Sequence, residues 1–287
     1  MLKSLIVCAD DFGFDLAVNQ AVEEAHRHGI LSTASLMVGG NAAADAVARA
    51  RRLPKLRVGL HIVLVDGYPV LPKAAVSGLL CRHGAFDRNL ARAGTRFFFL
   101  PGIRRQLAME IRAQFEAFRA TGLPLDHVNA HKHMHLHPTV AGLIIAIGRD
   151  YGVKAARVPS EPAAVLRIAF PHEHFPMPLY RPWVDVLRRR LQRAGLFVND
   201  HVFGLAWSGG MVEERLLRLV PHLPGGVSEI YLHPAAERTP ALVAAMPGYR
   251  YEEELAALLS SDLRNRIAEL GIRLVSYSDF ASPLTNT

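Results

Sequence analysis

Apolar and polar positions along this chain alternate between two periods. The run "SLIVCA" (4–9) is apolar throughout and stops at two acidic residues, which predicts a buried strand ending at Asp10. "DLAVNQAVEEAHRHG" (15–29) repeats its apolar positions at helical spacing, with Asp15 as N-cap and Gly29 as the stop. A strand over 31–38, a helix over 42–53 and a strand over 56–64 follow. Further on, the pattern predicts helices over 103–122 and 138–150 and strands over 125–131 and 153–158. It then predicts helices over 183–195 and 211–223, a strand over 227–234, and a helical pair within 250–270 that leads into "GIRLVSYSDF" (271–280). Two stretches, 65–102 and 159–180, obey neither period, and irregular stretches of that length are commonly lids or binding loops.

Strands alternating with helices predict a mostly parallel sheet covered by helices. No G-x-G-x-x-G follows the first strand, which argues against a dinucleotide fold. The expected fold is a single-domain TIM-like (β/α) barrel spanning residues 1–287, closed or incomplete. In such a barrel, chemistry sits at the C-terminal ends of the strands.

Four strand ends carry polar groups that packing does not require: Asp10 and Asp11, His61, His131 and His233. One aspartate and two histidines can hold a divalent ion and leave positions open, with the other aspartate and histidine free to move protons. Five of the 14 histidines fall between His127 and His137. If 129–138 ("NAHKHMHLHP") continued as a strand, His131, His133, His135 and His137 would share a face, with the outer two ~20 Å apart. They cannot all reach one ion, and His131, nearest the strand end, is the best ligand. His135 is a candidate for supporting the site or touching substrate. His137 is expected at the turn before Pro138, and His127 is expected to be structural. Arg157, ending "VKAARVP", is placed either against substrate or as an exposed, solubilising side chain.

Composition narrows the setting. Half the residues are apolar and 21% charged, an ordinary globular balance. No apolar run approaches the ~18–20 residues that span a bilayer, and aspartates arrive too early for a signal-peptide core. A cytoplasmic protein is expected. Cys8 and Cys81 give no disulfide framework, and Cys8 reads as a core residue. The net charge of +7 is scattered and lacks a nucleic-acid signature, so no nucleic-acid partner is expected. "RFFFLPGIRR" (96–105) sets Phe97, Phe98 and Phe99 between arginines, either as buried core or as a footing on a membrane surface.

These residues resemble a known family. "IVCADDFG", "GLHIVL", "NAHKHMHLHP" and "EIYLHP", in that order over most of the chain, resemble the YdjC-like carbohydrate deacetylases. The resemblance implies a metal-dependent hydrolase that removes N-acetyl groups from sugars. It implies that Asp11, His61 and His131 bind the metal, that Asp10 is the general base, and that His233 protonates the leaving amine. Asn129-Ala130 departs from the Asp-Ser that many members carry. "HPAAE" (233–237) and "GYRYEEELAAL" (248–258) are similar to the branch associated with hopanoid biosynthesis. That implies a lipid-linked N-acetylglucosamine substrate at the inner membrane surface, and the family implies a homodimer. Asp-His-His suits zinc, with magnesium, cobalt, nickel and manganese as alternatives. The rival readings are a deacetylase of soluble chitooligosaccharides, another metal hydrolase such as a phosphoesterase, and a non-catalytic metal- or lipid-binding protein.

Overall fold

Five consecutive side chains of the first strand, Leu5 to Ala9, are at most 1% exposed. A strand buried on both faces needs partners on both sides and cover above and below, which is the setting of a parallel sheet. The computed structural model, which describes residues 2–175 and 181–281, supplies them. Its strands are β1 (Lys3–Phe12), β2 (Thr33–Leu36), β3 (Arg57–Ile62), β4 (Leu125–Ala130), β5 (Ala155–Ala156), β6 (Phe197–Val198), β7 (His201–Phe203), β8 (Gly226–Leu232) and β9 (Arg273–Val275). They are ordered β6-β5-β4-β3-β2-β1-β8-β7, and β9 pairs with Ser4–Ile6 of β1. Every pairing within this sheet is parallel.

Eight strands thus curl into a distorted TIM-like barrel, as the alternating pattern predicts. The ladder does not close between β6 and β7. Only Asn199 and Asp200 link them, and the Asn199 side chain bridges the gap by bonding Val158 N, Val158 O and His201 O at 2.7–2.9 Å.

The helix at Leu16–His28 begins and ends where its caps predict. Asp15 accepts from Ala17 N at 2.9 Å, and Gly29 ends it. Gly29 is required by a close approach: a Cβ there would lie 2.4 Å from Leu258 O. The helix expected at 103–122 spans Pro101–Ala120.

Two expectations change. β1 is longer than its apolar run and continues past Asp10 to Phe12, whereas β2, β3, β4, β5 and β8 are shorter than expected because pairing stops where each chain turns into a loop at the mouth. The stretch 65–102 is also not irregular throughout, since it contains a short 3-10 segment (Lys73–Leu79) and a helix at Leu90–Phe99. Leu90, Ala93 and Phe97 do follow helical spacing there, but the run of three phenylalanines obscures it. The second irregular stretch likewise contains a helix, at Ala163–Ala169, and its residues 176–180 lie outside the described residues. Among the described residues, no helix is long and apolar enough to cross a membrane.

Candidate active site

A regular strand would send Asp10 and Asp11 to opposite faces. The register of β1 shifts between Ala9 and Phe12, and Asp11 adopts a left-handed backbone (φ 63°). This bulge re-aims the second carboxylate. Asp11 Oδ1 comes to 3.3 Å from His61 Nε2, while Asp10 Oδ1 stays 4.0 Å from His61 Nδ1. Among the described residues, the non-glycine positions with positive φ are Asp11, Asp66, Lys132 and His133. All four lie near this mouth: Asp11 at the end of β1, Asp66 in the loop after β3, and Lys132 and His133 in the turn after β4. Such conformations cost ~1–3 kcal/mol each and persist where the surroundings impose them. Here ion pairs from Asp66 to Lys132 and to Arg88 (2.7 Å) tie the loop after β3 to the loop after β4.

His61, on β3, and His131, just past β4, face Asp11. His131 Nδ1 lies 3.2 Å from Asp11 Oδ1 and 3.4 Å from His61 Nε2. Three donors ~2.0–2.1 Å from one ion at tetrahedral angles would stand ~3.3–3.4 Å apart. The Asp11–His61–His131 tripod, two imidazoles and a carboxylate within 4.8 Å of one another, therefore fits a divalent ion in both donor chemistry and spacing. His61 Nδ1 donates to Asn129 Oδ1 at 2.7 Å, leaving Nε2 as the free lone pair toward Asp11. The Asn129 amide also donates to Asp10 Oδ1 (3.2 Å) and Ser35 Oγ (2.9 Å).

The histidine row is not a strand. β4 ends at Ala130, and left-handed Lys132 and His133 wind 131–136 into a 3-10 turn. This separates the imidazoles. His133 Nε2 pairs with the Tyr231 hydroxyl at 3.2 Å. His135 is buried with neither ring nitrogen partnered. Burial first, then the nearby Arg157 charge, push its pKa down to about 3, so it is neutral. His137 precedes the helix Pro138–Gly148 and packs against Phe97 and Phe98. His127 is fully buried between Asp126 (2.9 Å) and Ser35 (3.0 Å), a structural place.

Arg157 is not the exposed, solubilising side chain that one of the two sequence alternatives describes. It has no exposed surface, and its guanidinium is committed on two sides. Nη1 and Nη2 meet Asp10 at 2.5 and 2.9 Å, while Nε and Nη2 meet Glu229 at 3.0 and 2.7 Å. Tyr277 donates its hydroxyl to Glu229 at 2.6 Å. Arg157 therefore positions Asp10: four of its five N–H donors are spent on the two carboxylates, and its burial leaves it no exposed role. Sequence reasoning missed Glu229, although a signal was present: it lies four residues before His233 on β8, an even spacing that shares one face. Burial alone would raise the Asp10 carboxyl. Arg157 and His61 outweigh it and hold the group well below the usual carboxylate range.

His233 follows β8 and sits against Tyr231 and Tyr249. Its backbone N–H donates to Glu254 at 2.5 Å, which fixes the loop. Burial lowers the imidazole pKa against the upward pull of Asp11 and Asp10. Among the loops after β1, β2 and β3 lies a cavity of about 280 Å³, lined by Phe14, Met37, Val63, Val70 and Phe86 and by the polar Asn41, Asp66, Arg88 and Gln114.

The YdjC-like protein family matches residues 4–269. The chain belongs to this family. A carbohydrate deacetylase from Geobacillus stearothermophilus is 32% identical over 282 residues, covering 98% of this chain and 99% of that protein. A chitooligosaccharide deacetylase from Serratia marcescens is 30% identical, covering 97% and 100%. The crystal structure of an Enterococcus faecalis protein named for cellobiose-phosphate cleavage superposes with a TM-score of 0.76 at 23% identity, covering 98% and 100%. It shares the fold.

Proposed function

We propose that this protein is a metal-dependent hydrolase that removes the N-acetyl group from an acetylated amino sugar. One observation carries the reading: a tripod suited to a divalent ion stands beside a carboxylate, Asp10, that is not part of it. The names of the deacetylase relatives support the same class.

Asp11, His61 and His131 would hold the ion, with zinc best suited to the donor set. A divalent ion bound there supplies Lewis-acid polarisation of the acetyl carbonyl and acidifies water toward neutral pKa. Asp10, kept charged by Arg157 and aimed by Asn129, takes the proton from the attacking water. His233 returns a proton to the amine nitrogen as the amide bond breaks. His135, with both ring nitrogens unpartnered, is assigned to substrate hydroxyls. A phosphoesterase with two metals would need bridging carboxylates, and among the described residues only one such donor cluster forms. A metal reservoir would have no use for the Asp10–Arg157 pair.

The likeness to the hopanoid-associated branch makes a hopanoid glycolipid one candidate substrate, and a chitooligosaccharide, which the relatives' names favour, is the other. The test is acetate release by metal-loaded protein from both substrates. Release from either supports the reaction, and the better substrate decides between the two. Phosphate release from a phosphoester with no acetate from either would overturn it.

A further inference from the structure

The helices Leu90–Phe99 and Pro101–Ala120 meet at a corner with an apolar outer surface. Phe97 turns into the core, but Phe98 is 43% exposed, Phe99 68% and Leu100 46%. The two exposed rings pack edge to face, with centroids 4.9 Å apart. The segment is thus divided: Phe97 takes the buried place of a core residue, and Phe98 and Phe99 stay exposed.

The charge around the corner has one sign. Residues 88–109 contain Arg88, Arg92, Arg96, Arg104 and Arg105 and no aspartate or glutamate. Arg88 is paired with Asp66 at 2.7 Å and Arg92 with the buried Asp87 at 2.5 Å, which leaves Arg96, Arg104 and Arg105 to carry the net positive charge. Arg104 lies over the Phe98 ring at 5.8 Å, and Arg105 is exposed.

We propose that this corner docks on an anionic lipid membrane, with Phe98, Phe99 and Leu100 entering the interface and the arginines meeting headgroup phosphates. Charge decides against a second copy of the chain. A two-fold contact sets a patch against itself, which here brings arginine to arginine with no carboxylate between. A nucleic acid would match the arginines and leave Leu100 in water. The inference is independent of the reaction proposed above.

The experiment is co-sedimentation of the full chain with vesicles of phosphatidylcholine alone and of phosphatidylcholine mixed with phosphatidylglycerol. Binding is expected to the mixed vesicles only and to weaken with salt. Phe98→Ser with Phe99→Ser should weaken it about tenfold. Arg105→Glu, at a side chain committed to no other contact, should weaken it about fivefold. Both variants should melt at the wild-type temperature. Failure to bind mixed vesicles, or equal binding by wild type and both variants, overturns the proposal. So does self-association, or DNA binding without vesicle binding, that the phenylalanine substitutions abolish.

Discussion

His61 gives its Nδ1 proton to the side-chain oxygen of Asn129 at 2.7 Å, and that one bond decides which imidazole nitrogen faces Asp11. Asn129→Leu removes the acceptor and frees the ring. Supports of this kind typically contribute ~10–100-fold to metal affinity. Calorimetric titration with zinc should show a loss of that order, with Asn129→Asp keeping most of the affinity. Wild-type affinity for Asn129→Leu would show that the ring is held by packing alone.

The Arg157 guanidinium lies between two buried carboxylates, Asp10 and Glu229. Arg157→Met leaves both unpaired and should cost about 3–5 kcal/mol in denaturant unfolding. Combining it with Asp10→Asn and Glu229→Gln should recover part of the loss, because neutral amides cost less to bury. A loss below about 1 kcal/mol for the single variant would mean that water reaches the pair.

Asp10→Asn separates binding from chemistry. The tripod does not include Asp10, so metal affinity should stay near the wild-type value while turnover falls ~10²–10⁴-fold. Loss of metal in step with turnover would place Asp10 among the ligands.

Much of this site is visible in the sequence. The strands that carry Asp10, Asp11, His61 and His233 are short apolar runs that end in polar residues, and a (β/α) barrel gathers such ends at one mouth. Three features are not visible. The left-handed turn at Asp11 depends on the pairing of β1 with its neighbours, which a period-2 pattern does not encode. The histidine row looks like a strand because its residues alternate, yet left-handed Lys132 and His133 break it after Ala130. The burial of Arg157 depends on Glu229 arriving from β8, 72 residues away. Local pattern finds the ends of elements, whereas side chains that meet across the barrel axis emerge only once the sheet curls.

Two carboxylates predict how stability varies with pH. Burial pushes Glu161 up to about 7 against three backbone N–H bonds, from Gly204, Leu205 and Ala206. It does the same to Glu254, which accepts from His233 and Met211. Because each folded pKa lies above the ordinary 4.5, the stability tied to the proton is complete below about 4.5 and is lost as pH rises through about 7. The loss is on the order of 3 kcal/mol for each group. Buried histidines such as His135 act in the opposite direction up to the ordinary 6.5, so the prediction is a difference: relative to wild type, Glu161→Gln should gain melting temperature as pH rises from mildly acidic to mildly alkaline. An unchanged slope in Glu161→Gln would assign the effect elsewhere.

The most direct test of the account is to titrate zinc into metal-free protein and follow bound metal and acetate release from an acetylated amino sugar in the same samples. The account predicts that acetate release rises in proportion to zinc, saturates at one ion per chain, and is lost in Asp10→Asn at equal occupancy. Acetate release that is full before zinc is added, or absent at full occupancy of the wild type, would contradict it.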